Sequence, residues 1–157
     1  MIEQIYNYFT IDTLYYWVNL GVLPLWLTLI FFPQSKICKI FVSSIFPFLM
    51  LSVAYIFMLY KSYITSYDYI SNFELYLGKD NLKDLFNNDF FLVMFWIHFV
   101  SINLFIGGWI VKDSQKYLMN RFLITFPLVI IYFIGPIGLL IYWLIRIFYA
   151  KNINIYD

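Results

Sequence analysis

The chain has 157 residues, 63% of them hydrophobic and 12% charged, against about 45–50% and about 25% in ordinary soluble domains, which excludes both a water-soluble fold and intrinsic disorder. Ten basic and nine acidic side chains leave a formal charge of +1, too even a balance for a nucleic-acid partner. One cysteine, Cys38, excludes an internal disulfide, and no Cys/His spacing of a zinc site occurs.

What remains is an integral membrane protein with membrane lipid around it. Residues 1–12 contain Glu3 and Asp12 but no Lys or Arg. They lack the basic leader of a secretory signal and the Arg-rich composition of an organelle transit peptide, which points to a bacterial inner membrane. Four charge-free runs follow, 13–35, 40–60, 90–111 and 122–145. A helix rising about 1.5 Å per residue crosses about 30 Å of hydrocarbon in roughly 20 residues. The sequence therefore predicts an all-α fold: one transmembrane domain, a bundle of four helices at those positions, with an extramembrane loop, 61–89, between helices 2 and 3. None of the runs alternates in polarity as a barrel strand would. Lys36 and Lys39 follow the first run, and Lys112, Lys116 and Arg121 follow the third. The positive-inside rule puts these short loops in the cytoplasm and both termini outside. In the long connection, Asp80 is placed to cap a short helix from Asn81 with Leu82, Leu85 and Phe86 on one face. That helix reads either as a lid on the membrane surface or as a loop tucking its apolar side against the bundle.

His98, the sole histidine, lies inside the third span. An ionisable group there is costly, so it is expected to face the bundle or a cavity. It is also the one spanning side chain suited to exchange protons near neutral pH, which makes it the candidate acid–base residue. Asn103 lies five positions on, about 140° around the helix, and shares a face with Trp96 and Gly107 instead. With antiparallel spans, His98 and Ser52 lie about 12 Å deep, Pro136 about 13 Å and Asn19 about 9 Å. That layer reads as a small polar pocket, or as polar groups that merely join helices.

In Gly135-Pro136-Ile137-Gly138, Pro136 frees the carbonyl of Tyr132 and kinks the helix, while Gly135 and Gly138 admit a neighbouring helix or a ligand. Pro24, Pro47 and Pro127 are placed to free the carbonyls of Leu20, Ser43 and Leu123 in the same way. The aromatic share, 24%, suits a slot for a conjugated or isoprenoid molecule, and equally an AT-rich coding bias. Trp17, Trp96, Trp109 and Trp143 read as interface anchors. The candidate substrate-binding set is Asn19, Trp96, Asn103, Gly135, Pro136 and Gly138. No metal motif, phosphate loop or paired intramembrane carboxylate occurs, so neither metal nor cofactor is expected.

The chain resembles the small membrane-protein family of plant neoxanthin synthase, the abscisic-acid-deficient-four type, and its bacterial relatives. The resemblance runs from about Thr13 to Arg146. It rests on Asn19-Leu20-Gly21-Val22-Leu23-Pro24-Leu25-Trp26 and Pro33, on Pro47-Phe48 and on Leu85-Phe86. It continues through Trp96-Ile97-His98-Phe99, Asn103-Leu104-Phe105-Ile106-Gly107-Gly108-Trp109-Ile110, Gly135-Pro136-Ile137-Gly138-Leu139-Leu140 and Arg146. Family members usually carry Asp where this chain has Asn103, and often Arg where it has Gly108, so the resemblance implies that a structural or functional ion pair has been discarded as a unit. The resemblance implies carotenoid biosynthesis. The plant reaction isomerises an epoxide to an allene without net redox change, which needs a proton donor at oxygen and a base at carbon. A bacterial member is expected to handle a carotenoid or another isoprenoid. The alternatives are a non-catalytic pigment- or lipid-binding protein and a structural partner in a larger membrane complex. Homo-oligomerisation stays open in each case.

Overall fold

The computed structural model describes residues 9–42, 44–151 and 153–154. The leader expectations for residues 1–8 and the freed carbonyl of Ser43 lie outside them. The described residues form six α-helices and no strand: α1 Ile11–Phe31, α2 Phe46–Ile64, α3 Lys79–Phe86, α4 Asp89–Lys116, α5 Arg121–Phe133 and α6 Gly135–Ala150. A π-helical turn, Cys38–Val42, precedes α2, and a 3-10 helix, Ser71–Tyr76, precedes α3.

Local chemistry sets most of the boundaries. Thr10 Oγ1 accepts from the Thr13 N–H at 3.1 Å and starts α1. The helix passes through Pro24, where Thr28 Oγ1 donates to the proline carbonyl at 2.8 Å, and stops before Pro33. Pro47 begins a helix rather than bending one. It sits in the first turn of α2, the place where a missing N–H costs nothing, so α2 starts later than its charge-free run. Asn88 Oδ1 accepts from the N–H groups of Phe90 and Phe91 at 3.0 and 3.3 Å and opens α4. Asn120 does the same for α5 through the Phe122 N–H.

Helices α1, α2 and α4 are long and apolar enough to cross a membrane. Large apolar side chains stand exposed along them, among them Leu20, Leu27, Val53, Ile56 and Phe105. Lipid, not water, suits such faces, and they mark the chain as an integral membrane protein.

The fourth predicted helix, 122–145, is two. The chain breaks at Ile134 (φ −140°, ψ 84°), two residues ahead of Pro136. A proline inside a helix removes one hydrogen bond and its ring clashes with the preceding turn. Restarting with Pro136 in the first turn of α6 avoids both penalties, so the expected kink becomes a complete break. The two products, of 13 and 16 residues, are about 20 and 24 Å long, short of the hydrocarbon thickness. They fold back on each other. A Cβ added to Gly138 would lie 2.6 Å from the Ile131 nitrogen and 2.8 Å from the Pro127 oxygen, so α6 touches the backbone of α5.

Contacts divide the chain into two compact units, Met1–Gly21 with Phe48–Val100, and Val22–Pro47 with Ser101–Asp157. In the first, Val18, Leu51, Met58, Met94 and Ile97 are buried. Helix α3 tucks its apolar side inward: Leu85 is buried, and the Phe86 ring lies 5.4 Å from Phe91 and 4.9 Å from Phe95. Helix α3 begins at Lys79, not Asn81, and Asp80 makes no cap. It stands in the first turn, where its charge favours the helix dipole. The connection is pinned by Tyr69, whose hydroxyl donates to the Leu59 carbonyl at 2.8 Å, and by Tyr67, whose hydroxyl donates to Asn72 Oδ1 at 2.5 Å. Burial pushes the Tyr67 hydroxyl above its ordinary pKa. In the second unit, Trp26 packs on Gly107, where a Cβ would lie 3.0 Å from the indole. Gln115 Nε2 donates to the Pro33 carbonyl at 2.9 Å.

Candidate functional site

In the first unit, one face of α4 carries Phe91, Met94, Phe95 and His98, at helical spacings of three and four residues. With Tyr55 of α2 and with Asn72 and Leu75 of the 3-10 helix they line an open recess of about 210 Å³. The amide oxygen of Asn72 is already taken by Tyr67. The recess therefore offers an imidazole, a phenol and an amide N–H2 among apolar walls. No carboxylate lies in its lining. His98 is exposed and faces this recess, not a closed interior.

Asn19 and Trp96 also meet in this unit. Trp96 Nε1 donates to Asn19 Oδ1 at 3.1 Å, and Asn19 Nδ2 donates to the Tyr15 carbonyl at 2.7 Å. The indole stacks on Phe99 and approaches Tyr15, with centroids 5.5 and 5.9 Å away. Both side chains spend these polar atoms on protein partners, so they tie α1 to α4. Ser52 is exposed.

The second unit holds Asn103, Gly135, Pro136 and Gly138. Asn103 is 4% exposed, and its amide oxygen fills the place a Cβ on Gly135 would take. Its Nδ2 has no hydrogen-bond partner among the described residues. Pro136 is exposed, and Gly138 is buried against α5. Asn103 is thus buried where His98 is exposed, as their angular separation on α4 requires.

The same unit contains a charged cluster that the sequence did not disclose. Arg146 is fully buried, and its Nε donates to Asp113 Oδ2 at 2.7 Å, while Asp113 is 8% exposed. One Nη donates to Asp113 Oδ1 at 3.4 Å and to the Tyr117 hydroxyl at 3.1 Å, and the other to the Asn154 carbonyl at 2.9 Å. The Tyr142 hydroxyl donates to Asp113 Oδ2 at 2.5 Å. The guanidinium lies over the rings of Tyr117 and Trp143, 5.0 and 5.5 Å from their centroids. A signal existed: Asp113 is the one acid between Asp89 and Asp157, and the pairs Asp113/Tyr117 and Tyr142/Arg146 are each four residues apart on a helix.

Comparison with protein families finds a match over residues 13–142 to the model described as ABA4-like (ABA DEFICIENT 4-like). Comparison with curated proteins finds no match, and comparison with solved structures finds none.

Proposed function

The chain belongs to the ABA4-like family, and on that footing we propose that it binds and isomerises a carotenoid or related isoprenoid, with one end of the molecule in the recess beside His98. The observation that carries this reading is an imidazole set among apolar walls that open outward. At about 210 Å³ the recess is smaller than the about 300–1,000 Å³ usual for a whole ligand, so it suits one end ring of an elongated molecule. Opening an epoxide to an allene moves one proton from carbon to oxygen: a C–H and a C–O bond break, an O–H bond and a new C=C π bond form, and nothing is oxidised. An imidazole serves as acid and as base at neutral pH, and the Tyr55 phenol in the same lining is a second proton carrier. His98→Ala should lower turnover by about 10²–10⁴-fold. The check is chromatography of pigments from carotenoid-producing membranes, and unchanged turnover removes His98 from the chemistry. A non-catalytic pigment binder is the second reading, favoured by the lack of a carboxylate in the lining. It requires pigment retention and no new isomer.

For localisation we propose the bacterial inner membrane. Three spans and a re-entrant α5–α6 pair fit the geometry of the second unit better than four spans. Asp113 lies three residues before the end of α4 and Arg146 four before the end of α6, so their pairing sets both ends on one face. That face also carries Lys112, Lys116 and Arg121, and is the cytoplasmic one by the positive-inside rule. The N-terminus is then outside and the end of α6 inside, replacing the sequence expectation of both termini outside. Labelling with a membrane-impermeant maleimide tests this in a Cys38→Ser background. Ile153→Cys should be protected in intact cells like Lys39→Cys, while Lys79→Cys should react. Reaction of Ile153→Cys in intact cells restores four spans.

A further inference from the structure

Helix α6 begins between two exposed residues, Ile134 and Pro136. Its first residue, Gly135, is buried, Pro136 follows in the first turn, and no side chain caps the end. The first N–H groups of a helix have no acceptor within it, and that end carries partial positive charge. Asn103, reaching from α4, lies directly against Gly135, and its buried Nδ2 donates to nothing among the described residues. Buried polar atoms are nearly always paired, so a persistent orphan calls for a partner that the chain does not supply.

The unpaired group here is the N–H2 of Asn103, which brings two donors, while its Oδ1 lies against Gly135 at the start of α6. Ile102, Leu104 and Ile134 flank them in sequence and are apolar. A donor set in apolar surroundings is completed by an oxygen that accepts and carries no hydrogen of its own, such as a carbonyl. Hydrocarbon offers it nothing. A carboxylate there would present acceptors and reverse the preference, so the amide of Asn103 decides the chemistry of the site.

We propose that the unpaired N–H2 of Asn103, beside the N-terminus of α6, forms a hydrogen-bonding site for the carbonyl oxygen of a membrane isoprenoid, either a keto-carotenoid ring or an isoprenoid quinone. It rests on the reading of this chain as an isoprenoid-binding membrane protein, and it names the functional group that this second site selects. Asn103 contacts the ligand and acts as a specificity residue, with no part in moving protons.

The test uses purified full-length protein in lipid nanodiscs, equilibrated separately with canthaxanthin, which bears two ring ketones, with β-carotene, the same skeleton without oxygen, and with decylubiquinone. Canthaxanthin or decylubiquinone should bind about tenfold tighter than β-carotene, the scale of one or two hydrogen bonds. Its carbonyl infrared band should shift to lower frequency on binding. Whichever ketone binds identifies the source. Asn103→Leu and Asn103→Asp should both abolish the preference, and Asn103→Leu covers the case in which the buried carboxylate impairs folding. Equal binding of β-carotene, a preference unaltered in Asn103→Leu, or binding of none of the three overturns the proposal, the last meaning that water completes the amide. His98→Ala should leave the preference intact. If it abolishes turnover while no ketone preference exists, the Asn103 site falls and the His98 recess stands; a ketone preference without turnover has the reverse meaning.

Discussion

Arg146→Ala should destabilise the protein by about 3–5 kcal/mol, the usual consequence of stranding one member of a buried ion pair. The guanidinium is fully buried, and without it Asp113 keeps, among the described residues, the Tyr142 hydroxyl alone for a charge that is itself 8% exposed. Asp113→Ala should cost a similar amount, because Arg146 then loses the carboxylate that meets its Nε and keeps neutral partners such as the Tyr117 hydroxyl and the Asn154 carbonyl. Removing both, as Asp113→Leu with Arg146→Met, should return most of the lost stability, since apolar groups of similar volume carry no desolvation penalty. Thermal unfolding of the four proteins in one detergent closes the cycle. Single variants that melt with the wild type would show that the pair contributes nothing.

Gly138→Ala is expected to be nearly as severe, for a steric reason. The added methyl would lie 2.6 Å from the Ile131 nitrogen and 2.8 Å from the Pro127 oxygen. Both are backbone atoms and cannot rotate away, so α5 and α6 must separate. About 3 kcal/mol, the upper end for overpacking, is the expected loss. Gly21→Ala is the matching control. Nothing lies within 4 Å of its added Cβ, and in the interior of α1 an alanine should gain about 0.5–1 kcal/mol over glycine. Equal melting temperatures for the two variants would mean that α5 and α6 do not touch at Gly138.

Charge patterning and proline chemistry account for what the sequence reveals about this fold. The uncharged runs locate α1, α2 and α4, because few other structures hide the backbone over so many apolar residues. The family read from the motifs around Trp96, Gly107 and Gly135 is the one that the match over residues 13–142 shows. Pro136 announced a disturbance but not its size, since a kink and a break begin from the same missing N–H. That choice hid the charged cluster: a continuous span would have carried Arg146 to the face opposite Asp113, and the two are 33 residues apart. The Asn19–Trp96 bond, across 77 residues, had no local signal either. His98 stood out by being unique, yet its exposure depends on Asn72 and Leu75, which a connecting loop brings beside it. Asn103 was legible as a polar residue in a span, but its unpaired amide follows from the position of Gly135.

The pairing of Asp113 with Arg146 also bears on biogenesis. Ribosomes deliver chains N-terminus first, so Asp113 emerges 33 residues ahead of Arg146. The acid stands near the end of a long apolar helix that can settle in the bilayer unaided, whereas the arginine is on a helix too short to do so. On the proposed three-span topology, α6 finds its counter-ion already at the face it reaches. Arg146, fully buried in the folded protein, then never has to leave water alone, because the charge that pairs with it is in place before the last two helices insert.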